Sequence, residues 1–145
     1  MDKKEEKDFQ QKYMQYNLYK QQAQGLLNEM GLLNQTSQNM NTAREVLVTL
    51  EKTKDKTEIL IPIGGNTFLK ASINDTNNVL FGIGSDVVLS KPVSDAIATI
   101  SEQLENLKKS GDELAGKMKE LEDVMRVLEP ELQKMMMKAQ KEHEH

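Results

Sequence analysis

Ile61-Pro62-Ile63-Gly64-Gly65-Asn66-Thr67-Phe68-Leu69-Lys70-Ala71 is the stretch on which the fold turns. An apolar run from Glu58 to Ile63 meets Gly64-Gly65-Asn66 and resumes from Thr67 to Ile73, which reads as strand, Gly-rich turn, strand. After a loop at Asn74-Asp75-Thr76-Asn77 the pattern recurs, with Asn78 to Ile83, Gly84-Ser85-Asp86 and Val87 to Ser90. Residues 57–90 are therefore expected to form two β-hairpins of four strands. Neither hairpin alternates cleanly. Ile59, Ile61 and Ile63 point one way and Leu60 the other; Val79, Phe81 and Ile83 oppose Leu80; Val87 and Leu89 oppose Val88. Strands apolar on both faces need cover on both.

On either side of this segment the period changes from two to three-and-four. Downstream, Ile97, Ile100, Leu104, Leu107, Gly111, Leu114, Met118, Leu121, Met125, Leu128, Leu132, Met135 and Ala139 keep heptad spacing, and only Gly111 interrupts the apolar run. That is a coiled-coil seam. A helix over 92–141 is expected, starting at Pro92, whose missing N–H costs nothing in a first turn, or at Ser94-Asp95. Glu129-Pro130 predicts a kink or break, with the helix resuming through Gln133. Upstream, Tyr16, Tyr19, Ala23, Leu26, Met30, Leu33, Ser37 and Met40 share the spacing, then the stripe slips to Ala43, Leu47 and Leu50. A helix over 5–53 follows. Its remaining surface is rich in Gln and Asn, which reads as plain surface or as a softly packed seam.

The two helices are nearly equal in length and leave opposite ends of one β segment, so antiparallel pairing is the natural solution. Setting Leu50 opposite Ile97 makes partner numbers sum to about 147 and places Phe9 near Lys138 and Tyr13 near Lys134. The expected fold is mostly α: a long antiparallel two-helix coiled coil with two β-hairpins at one end. Four short strands on a helix pair cannot bury two apolar faces, and open edges invite pairing. The β segment is expected to complete a sheet or barrel with other subunits through Ile59, Ile61, Ile63, Phe68, Leu69, Ile73, Val79, Phe81, Ile83, Val87 and Leu89.

Composition agrees. Hydrophobic residues make up 37% and aromatics 4% of the 145 residues, lean for a single globular core and suited to helices that each bury one stripe. Net charge is -4 with both signs mixed, which disfavours nucleic acid as a partner. With no Cys there is no disulfide framework or thiolate metal site, which fits the cytoplasm. The charged run Met1 to Asp8 lacks the apolar stretch of a signal peptide, and nothing approaches the ~18 apolar residues of a membrane span.

The plan helix, two hairpins, helix resembles the alpha class of prefoldin subunits, archaeal type; the beta class has one hairpin. The words are similar too. Ile61 to Ala71 has the family's apolar–Pro–apolar–Gly opening and its Phe-apolar-Lys-Ala exit, Val79-Leu80-Phe81-Gly82-Ile83-Gly84 is similar to the second hairpin, and Leu128-Glu129-Pro130 sits where archaeal members carry a late Pro. The resemblance covers nearly all of residues 1–145 as a single prefoldin-type domain, with the amide-rich first helix a departure. It implies a hexamer of two alpha and four beta subunits whose hairpins build a double β-barrel. Such a complex holds unfolded polypeptides without ATP and passes them to a group II chaperonin.

Client contact is expected at the free helix ends, where Phe9, Tyr13 and Met14 meet Met135, Met136 and Met137. Three consecutive Met cannot share one seam, since adjacent residues lie about 100° apart, and flexible thioethers suit varied partners. The bland reading is core at Met135 and harmless exposure elsewhere. Gly64-Gly65 and Gly82-Ile83-Gly84 join strand to strand, so they read as turns rather than phosphate loops. Glu142, His143, Glu144 and His145 read as solvated tail rather than metal ligands. No cofactor, metal or catalytic set is expected, and the chain reads as no enzyme. The alternative reading is a structural coiled-coil spacer or filament-forming relative without client transfer.

Overall fold

The computed structural model describes residues 2–143. The elements run α1 (Lys3–Glu51), β1 (Glu58–Gly64), β2 (Thr67–Ser72), β3 (Asn78–Gly84), β4 (Val87–Pro92) and α2 (Val93–His143). Asp2 starts α1: its Oδ1 accepts from the Glu5 N–H at 2.8 Å and its carbonyl from the Glu6 N–H at 3.0 Å. A carboxylate there satisfies an orphan donor and meets the positive end of the helix dipole. The helix ends at Glu51, short of Thr53, where the N–H groups of Lys52 and Thr53 turn to carbonyls three residues back at 3.1 Å.

The described chain falls into two compact units. The first takes α1 up to Asn34 with α2 from Lys109 onward; the second is Gln35–Lys108. In the first, the covered positions of α1 include Phe9, Lys12, Tyr16, Tyr19, Ala23, Leu26, Met30 and Leu33, and those of α2 include Gly111, Leu114, Met118, Leu121, Met125, Leu128, Leu132 and Met135. These two sets mirror each other: each residue of α1 has an α2 counterpart whose number completes a sum of 144, from Phe9 with Met135 to Leu33 with Gly111. Direct contacts run the same way. Lys12 pairs with Glu131 at 3.2 Å and Lys138 with Glu5 at 3.1 Å, and a Cβ on Gly111 would lie 3.5 Å from Leu33 Cδ2. The helices are antiparallel, and the register differs from the expected 147 by about one turn.

The reason lies in the second unit. Met40 and Leu47 keep the heptad while Ala43 is exposed, so the stripe does not slip there. Leu47, not Leu50, is the counterpart of Ile97. Leu47, Val93, Ala96 and Ile100 are buried together, with Met40, Leu50, Val79, Phe81, Ile97 and Leu104 packed against them. Lys91 lies with Nζ 4.7 Å from the centre of the Phe81 ring, a cation–π contact over the edge of this core.

The helix also runs through Pro130 without a break. Pro130 is exposed and sits midway between Leu128 and Leu132 on the outward side, so its ring meets solvent and the one carbonyl it orphans can be hydrated. Leu132, 6% exposed, holds the next turn in the seam. At the other end, Pro92 does not begin α2. It closes β4 opposite Asn78, and the helix starts at Val93, whose N–H donates to the Asn77 carbonyl at 2.8 Å. That bond and the burial of the Val93 side chain keep the backbone extended through Pro92.

Both hairpins are antiparallel, from Glu58↔Ser72 to Gly64↔Thr67 and from Asn78↔Pro92 to Gly84↔Val87, each with an irregularity before its last pair. Their turns are two residues long. Gly65, Asn66, Ser85 and Asp86 have φ of 55°, 56°, 50° and 60°, the positive values that a twisted two-residue hairpin turn demands. Gly64 and Gly84, at 108° and 106°, occupy backbone that L side chains rarely adopt. The hairpins form two separate two-stranded sheets and do not pair with each other. The segments before them are tied by Thr76, whose N–H and Oγ1 donate to Asp55 Oδ1 at 3.2 and 2.8 Å. Asp75 accepts from the Asn77 and Asn78 N–H groups, which hold its carboxyl below the usual carboxylate range.

Gly111 offers a direct check on the seam. A Cβ there would reach Leu33 at ordinary van der Waals distance, and Ala is the better helix former by about 1 kcal/mol. Gly111→Ala is expected to raise the thermal midpoint by a few degrees with unchanged assembly. A lower midpoint would mean that the helices do not meet in this register.

Candidate functional site

Two surfaces carry the residues singled out from sequence. The first is the β segment. Ile61 is 43% exposed, and Ile59, Ile63, Phe68, Leu69, Ile83, Val87 and Leu89 are exposed with it. Ile73, Val79 and Phe81 are half-buried, and the last two belong to the core of their own unit. The apolar surface thus divides: β3 presses Val79 and Phe81 inward, and most of the rest faces out. Leu60, Val88 and above all Leu80, 79% exposed, the residues of the opposite strand faces, are exposed as well. An exposed apolar area of this breadth is uncommon on a monomeric protein.

The second surface is formed by the free ends of the helices. Phe9 and Met135 are counterparts in the seam and half-buried. The Phe9 and Tyr13 rings stack at 5.9 Å. Tyr13 and Met136 are about half exposed, and Met14 and Met137 more so. The last two lie two residues beyond seam positions, on the outward faces of their own helices. The six residues therefore form a plugged seam with apolar flanks rather than one patch. Ion pairs frame the plug. Lys12, itself at a seam position, is held by Glu131 and Asp8, and the hydrogen bond to Glu131 leads the causes that raise its pKa.

Sequence reading missed a groove in the same unit, lined by Tyr19, Gly25, Leu26, Leu121 and Val124. Its signal was Gly25, a residue without a side chain in the interior of α1. No group of three or more His, Cys, Asp or Glu gathers among the described residues; Glu144 and His145 lie outside them. No described helix is long and apolar enough to cross a membrane.

A family model described as Prefoldin subunit matches residues 19–138, both helices and both hairpins together. The chain belongs to the prefoldin family. Its role is accordingly of the chaperone type, and prefoldin alpha subunits form complexes with other prefoldin subunits. Prefoldin subunit alpha of Methanococcus aeolicus is 32% identical over 87% of this chain and 85% of its own. Prefoldin subunit alpha 1 of Methanocaldococcus jannaschii is 34% identical over 92% and 91%. Among solved structures, a chain of filamentous PFD from Methanocaldococcus jannaschii is similar with a TM-score of 0.67, at 20% identity, covering 80% of this chain and 96% of that one. That likeness shows the prefoldin fold of two long helices and paired strands.

Proposed function

We propose that this chain is the alpha-type subunit of a cytoplasmic prefoldin hexamer, two alpha with four beta, that holds unfolded polypeptides without nucleotide and passes them to a group II chaperonin. The observation that carries the reading is the pair of unpaired hairpins with apolar residues facing out. In the proposed complex they close a β-barrel with hairpins of neighbouring subunits, and residues 1–145 act as one prefoldin-type domain. The free helix ends, with Phe9, Tyr13, Met14, Met135, Met136 and Met137, take the client. Nothing in this reading requires a catalytic group, a cofactor, a nucleic acid or a membrane.

The alternative is a structural spacer or filament-former without client transfer. The filamentous assembly of one fold relative suits it, but fold alone does not choose between the two. Native mass spectrometry of the chain mixed with a beta-type subunit tests the assembly. A species of two alpha and four beta subunits is expected; open-ended mass ladders would favour the filament.

A further inference from the structure

The face of α1 opposite the seam differs from the corresponding face of α2. Moving two residues on from a seam position turns about 200° around a helix, to its back. From Lys12, Tyr16, Tyr19, Ala23, Leu26 and Met30 this gives Met14, Leu18, Gln21, Gly25, Asn28 and Leu32, all exposed and none charged. The same step on α2 gives Glu113, Gly116, Glu120, Asp123, Val127, Pro130, Lys134 and Met137, of which four are charged where the α1 stripe has none. Between Tyr13 and Asn34 the chain carries only two charges, Lys20 and Glu29, and both fall beside the seam rather than on the back. Met14, Leu18 and Leu32 are 71%, 53% and 67% exposed. The stripe borders a groove of about 510 Å³ to which Gly25 contributes; Tyr19, Leu26, Leu121 and Val124 make its apolar wall, and Gln22, Glu29, Lys117 and Glu120 complete its lining.

We infer that this back face of α1 and its groove form a binding surface for extended, unfolded polypeptide, which places a second client contact away from the helix ends. The inference rests on the holding function proposed above. The chemistry selects the occupant. Covering Gln21 and Asn28 requires a partner that supplies both donors and acceptors at close spacing, or the amides lose their hydration without replacement. An extended backbone offers an N–H and a C=O at every residue; a folded helix has already spent its own. Asn28 accepts from Gln24 at 3.4 Å, and its NH₂ remains a donor. The leucines and the apolar wall of the groove take apolar side chains of the same segment; the back face itself carries no charge, and the groove carries both signs, in Lys117 and in Glu29 and Glu120. Side-chain amides reading backbone, with small apolar sites between them, give recognition that tolerates many sequences.

The test uses the full chain in its assembled form and reduced, carbamidomethylated lysozyme as a permanently unfolded probe. The variant Leu18→Lys, Gln21→Glu, Asn28→Glu, Leu32→Lys keeps the net charge and uses good helix formers, so helical content and native mass should be unchanged. Its affinity for the probe is expected to fall about tenfold or more. A second variant, Gln21→Met with Asn28→Met, keeps the face uncharged and removes only the amides. It too should bind more weakly, and tighter binding would overturn the amide role. Unchanged affinity in the fourfold variant, alongside weakened binding in Met136→Ser with Met137→Ser, would overturn this inference and leave the holding function standing. Unchanged affinity together with loss of a self-associated species in sedimentation would assign the face to contact between copies instead. Failure of the unaltered protein to bind the probe would overturn the holding function itself.

Discussion

Ile61→Asp is expected to abolish the assembled complex while leaving the chain folded. In the isolated chain Ile61 is 43% exposed, so a carboxylate there stays hydrated and changes the stability of the subunit little. Once neighbouring hairpins cover β1, the same carboxylate is buried without a partner, at a cost of several kcal/mol, roughly, per site. Repeated around a closed barrel, that cost exceeds what the contacts return. Light scattering should show subunits or small species, and circular dichroism should show helix content close to that of the parent. A mutant that still assembles would show that the outward face of β1 is not the interface. Phe81→Asp is a poorer version of this test. Phe81 packs into the cluster of Leu47, Val93, Ala96 and Ile100, so its loss damages the subunit before assembly is asked about.

The second large effect is expected at the free helix ends. Deleting residues 1–14 and 130–145 cuts both helices at matched positions, because 14 and 130 share the seam sum of 144. The truncation removes the Phe9 and Met135 plug, the exposed Tyr13, Met14, Met136 and Met137, and the ion pairs Lys12–Glu131 and Lys138–Glu5. The seam from Tyr16 with Leu128 onward is untouched, and so are the hairpins. The truncated chain should assemble normally and lose most of its protection of a denatured protein. In the proposed complex each end would contribute only weak contacts, with affinity arising from several helix pairs on one client. Met136→Ser with Met137→Ser should therefore reduce protection in part. Full protection by the truncated complex would move the client site to the helix backs and grooves.

How far the sequence predicts these features depends on what each one needs. The seam of α2 was legible from Ile97 to Ala139, Gly111 included, because a heptad is a local pattern and a solvated helix pair imposes no other. The seam of α1 was legible from Tyr16 to Met40. Its extension to Phe9 and Lys12 was not, since Lys12 is a cation at an apolar position and is tolerated there only because Glu131 and Asp8 meet it. Register was misjudged by three residues because Leu47 and Leu50 are both leucines in plausible phase, and only packing around Val93 and Ala96 decides between them. A kink or a break was expected at Pro130; the helix does not break there, and the ring sits on the outward face. For the strands, the two-sided apolar pattern led to an expectation of cover on both faces. It could not say which side Val79 and Phe81 would take, because alternation carries that information and these strands lack it. The six residues assigned to the helix ends occur where expected along the chain, but Met14 and Met137 face away from the seam. Helical phase was available to show this, and the amide-rich surface of α1 was read either as plain surface or as a softly packed seam.

The measurement that bears most directly on the account is light scattering by a chemically denatured protein diluted into the assembled complex with no nucleotide present. Suppressed aggregation at stoichiometric complex, unchanged when ATP is added, is the predicted result. Aggregation that proceeds as in buffer alone, by a complex shown to be intact, would contradict the holding function and leave a structural coiled-coil assembly in its place.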